Sequence, residues 1–149
     1  GFNSGWREVI GFSNETEEFN PENLETFGGK GTYRDPEFIW RDTIAPTSVV
    51  FIHTDNLGPN YKDNLFVGSV KNGTIFNFPL SENRTHLVLT GPLTDKTADN
   101  NQETGGVTFG RNFGIITDLQ IGPDGNLYVL SNYKHDGTIF KISSKGNAN

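Results

Sequence analysis

The phrase Asn-Leu-Phe-Val-Gly-Ser at residues 64–69, followed by Gly-Thr-Ile-Phe-Asn-Phe at residues 73–78, decides the fold class of this chain. It returns as Asn-Leu-Tyr-Val-Leu-Ser at 126–131 and Gly-Thr-Ile-Phe-Lys-Ile at 137–142, so its two halves recur 62 and 64 residues later. Each copy reads as a β-rich aromatic run, a polar turn and a second such run. Self-similarity at this spacing is typical of repeat architectures, in which one unit buries its apolar face against its neighbours.

The composition favours short strands over helices. The 149 residues include 18 Gly, 7 Pro and 12 Phe, with no Met and no Cys. Gly and Pro interrupt the chain too often for long helices, but they suit strands joined by tight turns. Aromatic residues make up 12% of the chain and can supply much of the buried surface. We therefore predict an all-β protein.

The charge and the missing cysteines exclude several classes of function. With a net charge of −6 and only 12 Lys and Arg, the chain has no basic run for a nucleic-acid partner. No apolar run is long enough to span a membrane. The lack of Cys excludes disulfides, thiolate zinc sites and cysteine nucleophiles. It fits an extracytoplasmic protein (periplasmic, secreted or cell-surface) that avoids thiols, although many cytosolic proteins share it. Gly1 in place of Met suggests a mature or truncated chain.

Strand-length runs separated by turn residues predict two successive blades. Residues 1–42 form an irregular opening segment, in which Asn20-Pro21 is expected to begin one helical turn. The first blade occupies residues 43–94 and the last blade residues 107–143, where Pro123-Asp124-Gly125 forms a hairpin turn. The predicted strands are 47–53, 64–70, 74–80 and 85–90 in the first blade, and 115–121, 126–131 and 138–143 in the last.

Four antiparallel strands in succession make one blade of a β-propeller, and a ring usually closes with four to eight blades. A chain of 149 residues supplies only two to three. We therefore predict a single partial β-propeller domain over residues 1–149. An incomplete ring exposes apolar blade faces and strand edges, so either the chain belongs to a longer protein or its copies self-associate through those faces.

Several stretches resemble one family in their order along the chain. Residues 33–40 (Tyr-Arg-Asp-Pro-Glu-Phe-Ile-Trp) and 43–48 (Thr-Ile-Ala-Pro-Thr-Ser) are similar to the approach to a late blade in glucose/sorbosone dehydrogenases. These are soluble quinoproteins that use pyrroloquinoline quinone (PQQ). Residues 63–73 resemble the next strands, residues 116–130 the last blade, and Asn3-Ser4-Gly5-Trp6 a turn further upstream. The resemblance lies in the series, because Gly-Pro-Asp-Gly-x-Leu-Tyr alone occurs in many propellers.

The resemblance implies the C-terminal portion of a six-bladed propeller more than twice this length. Such a parent would oxidise an aldose or related polyol outside the cytoplasm, with PQQ and calcium as cofactors. In the family, the catalytic His that takes the sugar hydroxyl proton lies in the part that this chain does not match. The backbone carbonyls that hold Ca²⁺ lie there too. We therefore expect no catalytic residue in this chain and no activity of the chain alone.

Two candidate cofactor-binding residues follow from the resemblance. Lys71 matches the lysine that contacts the quinone, and Thr43 matches a threonine lining the same pocket. The family's quinone-binding arginine pair falls at Ile115 and Thr117, so both charges are lost. A multiply anionic cofactor would lose its bidentate partners, and Lys71 alone is a point charge. This departure favours an alternative, a non-enzymatic propeller module that binds carbohydrate or protein.

Plain structural roles compete with each of these assignments. Lys71 lies in a Lys-Asn-Gly turn, where lysines are ordinarily solvated, and Thr43 can simply open a strand. Trp6 and Trp40 could stack on a sugar ring, but we favour burial between blades. Asp124 is expected to close its own turn rather than to bind Ca²⁺.

The histidines carry no metal-site signature. His53, His86 and His135 are scattered and lack the spacing of zinc ligands, so we predict surface or edge positions and no metal ligand.

Overall fold

A computed structural model describes residues 2–16, 19–24 and 28–144. These residues form short β-strands and single turns of 3-10 helix, with no α-helix in the described ranges, which confirms the all-β prediction. The chain forms two compact units, Gly1–Ile39 and Trp40–Asn149. Across the described ranges, no helix is long and apolar enough to cross a membrane.

The first unit has little regular structure. Strands β1 (Phe2–Asn3) and β2 (Thr32–Tyr33) pair in parallel, and 3-10 turns occupy Ser13–Glu15 and Pro21–Asn23. The predicted turn after Asn20 is confirmed, with the Asn20 side chain accepting the Glu22 N–H at 2.9 Å. The carboxylate of Asp35 accepts the Ser13 N–H at 2.8 Å and the Tyr33 hydroxyl at 2.7 Å. Hydrogen bonds from loop residues to one side chain therefore organise this unit.

Two blades make up most of the second unit. The first is a four-stranded antiparallel sheet and the second a three-stranded one, while a short pair lies beside them. The strands in chain order are β3 (Ile39–Trp40), which begins at the unit boundary, β4 (Pro46–Phe51), β5 (Leu65–Ser69), β6 (Ile75–Phe78), β7 (Thr97–Ala98), β8 (Thr108–Gly110), β9 (Ile115–Ile121), β10 (Leu127–Tyr133) and β11 (Asp136–Ile142). The sheet orders are β4-β5-β6-β8, β11-β10-β9 and β3-β7.

The fourth strand of the first blade is not the one that the sequence predicted. Residues 85–90 form only an isolated bridge, Leu80 with Leu87, and β6 instead pairs with β8 through Ile75 opposite Gly110. Side-chain hydrogen bonds hold the 81–86 segment as a turn, because the Ser81 hydroxyl accepts the Thr85 N–H at 3.1 Å. Residues 108–110, which the prediction gave to the last blade, therefore complete the first.

The segment 91–107 carries the chain from the 81–86 turn to β8. Its two 3-10 helices, Gly91–Asp95 and Glu103–Val107, bury Leu93 and Val107. Trp40 packs against β6, with its ring centroid 5.5 Å from that of Phe76 and 5.8 Å from that of Phe78. The expectation of a ring buried between blades is met only in part by Trp40, which is half-buried and packs against two rings of one strand, β6. It is wrong for Trp6, which is 74% exposed in the first unit.

The last blade follows the prediction closely. Strand β9 spans the predicted residues 115–121, and the turn at 123–125 is confirmed by the Gly125 N–H donating to the Gly122 carbonyl at 2.8 Å. Gly125 has a φ of +74°, which favours glycine. Asp124 closes this turn as predicted, accepting the Asn126 N–H at 3.1 Å.

The main core lies between the two blades. Its buried side chains come from both copies of the repeated phrase and from the strands beside them: Ile52, Leu57, Phe66, Ile75, Ile116, Leu119, Leu127 and Val129. At Gly68 on β5 the blades come especially close, since a Cβ there would lie 2.8 Å from Ile116 Cγ2. The repeat thus works as its pattern indicates, each copy covering the other's apolar face. The assignment of residues 1–149 to one domain stays a prediction.

Candidate functional site

The turn between β5 and β6 contains Lys71, the first of the two predicted cofactor-binding residues. Lys71 begins the 3-10 turn Lys71–Gly73, and its N–H donates to the Ile44 carbonyl at 3.2 Å. The Val70 N–H donates to the Ala45 carbonyl at 3.0 Å. Thr43, the second predicted residue, is exposed and directly precedes Ile44 in the chain. The structure therefore brings the backbone segments of both residues together at one end of the blades.

The segment leading into β9 holds the other side of the same turn. The Asn112 N–H donates to the Asn72 carbonyl at 3.2 Å, and the Phe113 N–H to the Gly73 carbonyl at 3.1 Å. Gly73 has a φ of +50°, and a Cβ there would collide with the backbone of Gly114. Glycine is thus the residue that permits this close approach, and the Lys71 turn is fixed from two directions.

A small notch lies beside Lys71. Its volume is about 30 Å³, enough for a water molecule or one small polar group. Four of the lining residues are buried, with Ile44 at 5%, Thr74 at 6%, Phe76 at 3% and Thr104 at 3% exposure. Two lining residues, Lys71 and Arg111, are cationic, and the others are Ile44, Asn72, Thr74, Phe76, Asn101 and Thr104.

A wider and more open cleft of about 620 Å³ lies on the other side of Asn72. Tyr133 at the end of β10 and Lys134 in the turn after it line this cleft, together with residues of the two segments just described. The Lys134 ammonium lies 5.3 Å from the centroid of the Tyr133 ring, within the range of a cation–π contact. Asn72 lines both the notch and the cleft, so the two spaces are neighbours.

The positions that match the family's arginine pair offer no charge. Ile115 is 47% exposed, and the Thr117 hydroxyl donates to the Leu130 carbonyl at 3.2 Å. The cleft has room for a large cofactor, but neither Lys71, Thr43 nor any arginine lines it. The notch has two cations, but room for a single small group. The described residues thus form no single cavity that combines this room with both cations, and the cofactor role of Lys71 and Thr43 stays a prediction.

The histidines take the surface positions that the sequence predicts. His53 Nδ1 lies 3.7 Å from a carboxylate oxygen of Asp63, and His86 and His135 are exposed. Within the described ranges, no group of three or more His, Cys, Asp and Glu side chains could hold a metal ion.

Sequence reasoning missed Arg111, Asn101 and Thr104 as site residues. They stand 30 to 40 positions after Lys71, and no local motif connects them with it. Their approach depends on residues 91–107 returning the chain to β6, which the strand pattern did not show.

Sequence comparison identifies relatives of this chain. It is 27% identical over 110 residues to the aldose sugar dehydrogenase YliI of Escherichia coli, covering 74% of this chain and 24% of that protein. It is 26% identical over 144 residues to an uncharacterised protein of Synechocystis, covering 97% of this chain and 29% of that protein. The chain thus spans about a quarter of the length of these curated relatives.

Solved structures share the fold. A glucose dehydrogenase superposes with a TM-score of 0.62 at 21% identity, covering 97% of this chain and 36% of that one. A putative oxidoreductase (glucose dehydrogenase) of Thermus thermophilus gives a TM-score of 0.59 at 20% identity, covering 95% of this chain and 33% of that one. These likenesses confirm the predicted fold class, a partial β-propeller.

The family described as Glucose / Sorbosone dehydrogenase matches residues 1–141. That range includes the two blades, the notch and the segments that the sequence resemblance singled out. The chain belongs to the glucose/sorbosone dehydrogenase family.

Proposed function

We propose that this chain supplies the C-terminal pair of blades of an extracytoplasmic dehydrogenase that oxidises an aldose or related polyol. The observation that carries the proposal is the family match over residues 1–141, in a chain that spans 24% to 36% of its relatives' lengths. Absence of cysteine is compatible with the location, which fractionation of the source cells would test. Recovery with the cytosolic proteins would contradict it.

The chain's own part is to form one wall of the site rather than to perform the chemistry. Proton abstraction from a sugar hydroxyl needs a general base held within hydrogen-bond reach of the substrate. The three histidines are exposed and separate, and none lines the notch or the cleft. We therefore propose that the chain is catalytically silent without the blades that carry the family's catalytic His.

Dye reduction with aldoses tests this division of labour. We expect no sugar-dependent reduction by the 149-residue chain supplied with PQQ and Ca²⁺, and reduction by a longer protein that also contains the upstream blades. Turnover by the chain alone would contradict the silent role. Inactivity of the longer protein toward every aldose and polyol tested would contradict the dehydrogenase assignment.

A second candidate function is a non-enzymatic propeller module that binds carbohydrate or protein. The uncharged Ile115 and Thr117 favour it, because they leave a quinone without bidentate partners. Titration of the longer protein with PQQ and Ca²⁺ separates the two candidates. Saturable quinone binding supports the enzyme, and its absence together with saturable carbohydrate or protein binding supports the module.

We also propose that copies of the chain self-associate through their blade faces. Large apolar side chains are exposed on both blades, with Val49 at 60%, Phe51 at 45% and Ile139 at 66% exposure. Burial of apolar surface stabilises an interface by about 25 cal/mol per Å². Light scattering should show a mass that rises with concentration, and a monomer at high concentration would contradict the proposal.

A further inference from the structure

Three Asn-x-Thr tripeptides occur in the chain, at residues 14–16 (Asn-Glu-Thr), 72–74 (Asn-Gly-Thr) and 83–85 (Asn-Arg-Thr). This tripeptide is the acceptor motif for N-linked glycosylation where it lies on the surface of a secreted protein. Such a short motif also arises by chance in a chain rich in Asn and Thr. The structure around each tripeptide therefore decides which of the three can accept a sugar.

The tripeptide 72–74 is part of the contact between the blades. Thr74 is only 6% exposed, and its carbonyl accepts the Ser69 N–H at 2.9 Å. The carbonyls of Asn72 and Gly73 accept N–H groups from the segment that leads into β9. An enzyme would have to break these bonds to reach the threonine. This tripeptide is therefore closed to modification in the folded chain.

The tripeptide 14–16 has an exposed asparagine, but its surroundings are acidic. Asn14 lies in the 3-10 turn Ser13–Glu15, and the stretch 15–18 contains three glutamates. Glycosyl donors carry their sugar on an anionic phosphate or diphosphate, which these negative charges repel. We therefore expect a poorer acceptor here than at a tripeptide without such a cluster.

The tripeptide 83–85 lies on a surface turn that the chain itself keeps in shape, and all three of its residues are exposed. The Ser81 N–H donates to the His86 carbonyl at 3.0 Å, and the Arg84 N–H donates to the Ser81 carbonyl at 2.7 Å. The Arg84 guanidinium lies 3.0 Å from a carboxylate oxygen of Asp63, which neutralises the charge in the middle of the tripeptide. The turn thus presents its asparagine to solvent without any rearrangement.

Hydrogen bonds within this turn also orient the amide group of Asn83. Its side-chain oxygen accepts the Thr85 hydroxyl at 2.7 Å and the Ser81 hydroxyl at 2.8 Å. The Thr85 N–H donates to the same atom at 3.3 Å, so this side of the amide must be the oxygen. Among the residues that the structure describes, the amide nitrogen has no hydrogen-bond partner. The nitrogen is therefore available to bond to a sugar.

We propose that Asn83 is an acceptor of N-linked glycosylation. In this reaction the bond between C1 of a sugar and a phosphate oxygen breaks, and C1 bonds to the Asn83 amide nitrogen. The oxygen keeps the electron pair of the broken bond, and the proton lost by the nitrogen passes to the departing diphosphate. The donor is thus a sugar joined through C1 to a diphosphate, which is carried on a lipid or on a nucleotide. No oxidant or reductant is needed.

The proposal rests on the extracytoplasmic location proposed above, because the motif is used in secreted proteins. Cell fractionation tests that location, whereas transfer to the purified chain tests the acceptor. A wrong location and a missing acceptor would therefore be told apart.

Glycosyl transfer to the folded 149-residue chain tests the acceptor directly. The chain is incubated with a soluble N-glycosyltransferase and UDP-glucose, and separately with a membrane oligosaccharyltransferase and a lipid diphosphate oligosaccharide. A synthetic Asn-Ala-Thr peptide confirms that each enzyme is active, and mass spectrometry of peptides locates the sugar. We expect transfer to Asn83 from at least one donor, about tenfold or more faster than transfer to Asn72, and faster than transfer to Asn14. The donor that supports transfer identifies the carrier.

Variants of the tripeptide and a matched control locate the reaction. Asn83→Gln and Thr85→Val should each abolish transfer at residue 83, while Thr85→Ser, which keeps the hydroxyl, should retain it. Asn132→Gln changes an exposed asparagine outside any such tripeptide and should leave transfer unchanged. Because all these residues are exposed, we expect every variant to fold.

Three outcomes would each overturn the proposal. They are an unmodified Asn83 with both enzymes while the peptide is modified, transfer to Asn72 or Asn14 at least as fast as to Asn83, and undiminished transfer in Thr85→Val. Should a variant not fold, the sites mapped on the wild-type chain alone decide.

Discussion

The hydroxyl of Thr47 donates a hydrogen bond to the carbonyl of Ile116 at 2.8 Å, and this bond joins the first strand of one blade to the first strand of the next. The two residues are 69 positions apart in the chain. The bond lies one residue beyond the start of both strands, near the end where the Lys71 turn is held. It therefore helps to set the position of one blade on the other beside the notch.

Replacement of Thr47 by Val should weaken the contact between blades. Valine keeps the shape of threonine but cannot donate, so the bond to the Ile116 carbonyl is lost together with a longer one of 3.3 Å to the Gly68 carbonyl. We expect a loss of about 1 kcal/mol in the free energy of unfolding, measured by urea denaturation. Thr138→Val removes only a local bond of 3.3 Å within β11 and should cost less. Equal effects of the two changes would show that the bond between blades has no special weight.

Replacement of Gly68 by Ala should disturb a close approach of the two blades. The added Cβ would lie 2.5 Å from Ser48 Oγ and 2.8 Å from Ile116 Cγ2, closer than side chains pack. We expect a loss of about 1–3 kcal/mol in thermal or urea unfolding, as for overpacked cores. The matched control is Gly137→Ala in β11, where a Cβ would meet nothing within 4 Å. If Gly68→Ala were no worse than this control, close packing at Gly68 would not contribute to stability.

Replacement of Asn64 by Asp should destabilise the first copy of the repeat. The buried Asn64 amide donates to the Asn60 carbonyl at 3.0 Å and to the Asn77 side-chain oxygen at 2.9 Å. A carboxylate of the same shape would face the fixed Asn60 carbonyl as a second acceptor and could not donate to Asn77, at a cost of about 1–3 kcal/mol. The exposed Asn132 provides the comparison, since Asn132→Asp should change unfolding little. Tolerance of Asp at both positions would contradict the structural role of Asn64.

Replacement of Asp124 by Asn should remove a pH-dependent part of the stability. The ammonium of Lys141, 2.7 Å away, and then hydrogen bonds from Asn126 hold the pKa of Asp124 well below its ordinary value of 3.8. A lowered folded pKa means that this contribution is present above pH 3.8 and is lost as the pH falls through the folded pKa. The difference in urea midpoint between wild type and Asp124→Asn should therefore shrink between pH 6 and pH 2. A difference in urea midpoint that stays constant between pH 6 and pH 2 would refute the link between the lowered pKa of Asp124 and stability.

Local pattern was enough to predict six of the seven strands of the two blades. Strands β9 and β10 are rich in Ile, Leu, Val and Tyr, and the turn residues Gly122-Pro123-Asp124-Gly125 separate them, so their position depends on nearby residues. The seventh strand, β8, is only three residues long and pairs with β6 across about 30 intervening residues. Residues 85–90 have an equally good strand composition, but side-chain bonds around Ser81 and Thr85 hold the start of this segment in a turn. Strand propensity alone therefore cannot decide whether residues 85–90 or residues 108–110 pair with β6.

The candidate site was only partly predictable, because part of it depends on the same pairing of β8 with β6. Lys71 and Thr43 came from resemblance to a family, and the structure places their backbone segments side by side. Arg111 was not identified, since it directly follows the mispredicted strand and reaches the notch only because β8 pairs with β6. Two cations separated by 40 residues have no spacing rule to connect them. Prediction of the second half of the site thus required the topology that the pattern missed.

Because β8 pairs with β6, the first blade cannot be completed until β8 has left the ribosome. Residues that complete the first blade leave the ribosome only after the long segment 91–107, and β9 begins just five residues after β8 ends. Until then β6 has an open outer edge, which can pair with strands of other chains. At a synthesis rate of about 5–20 residues per second, the first blade therefore remains an unfinished sheet for roughly 2–6 seconds.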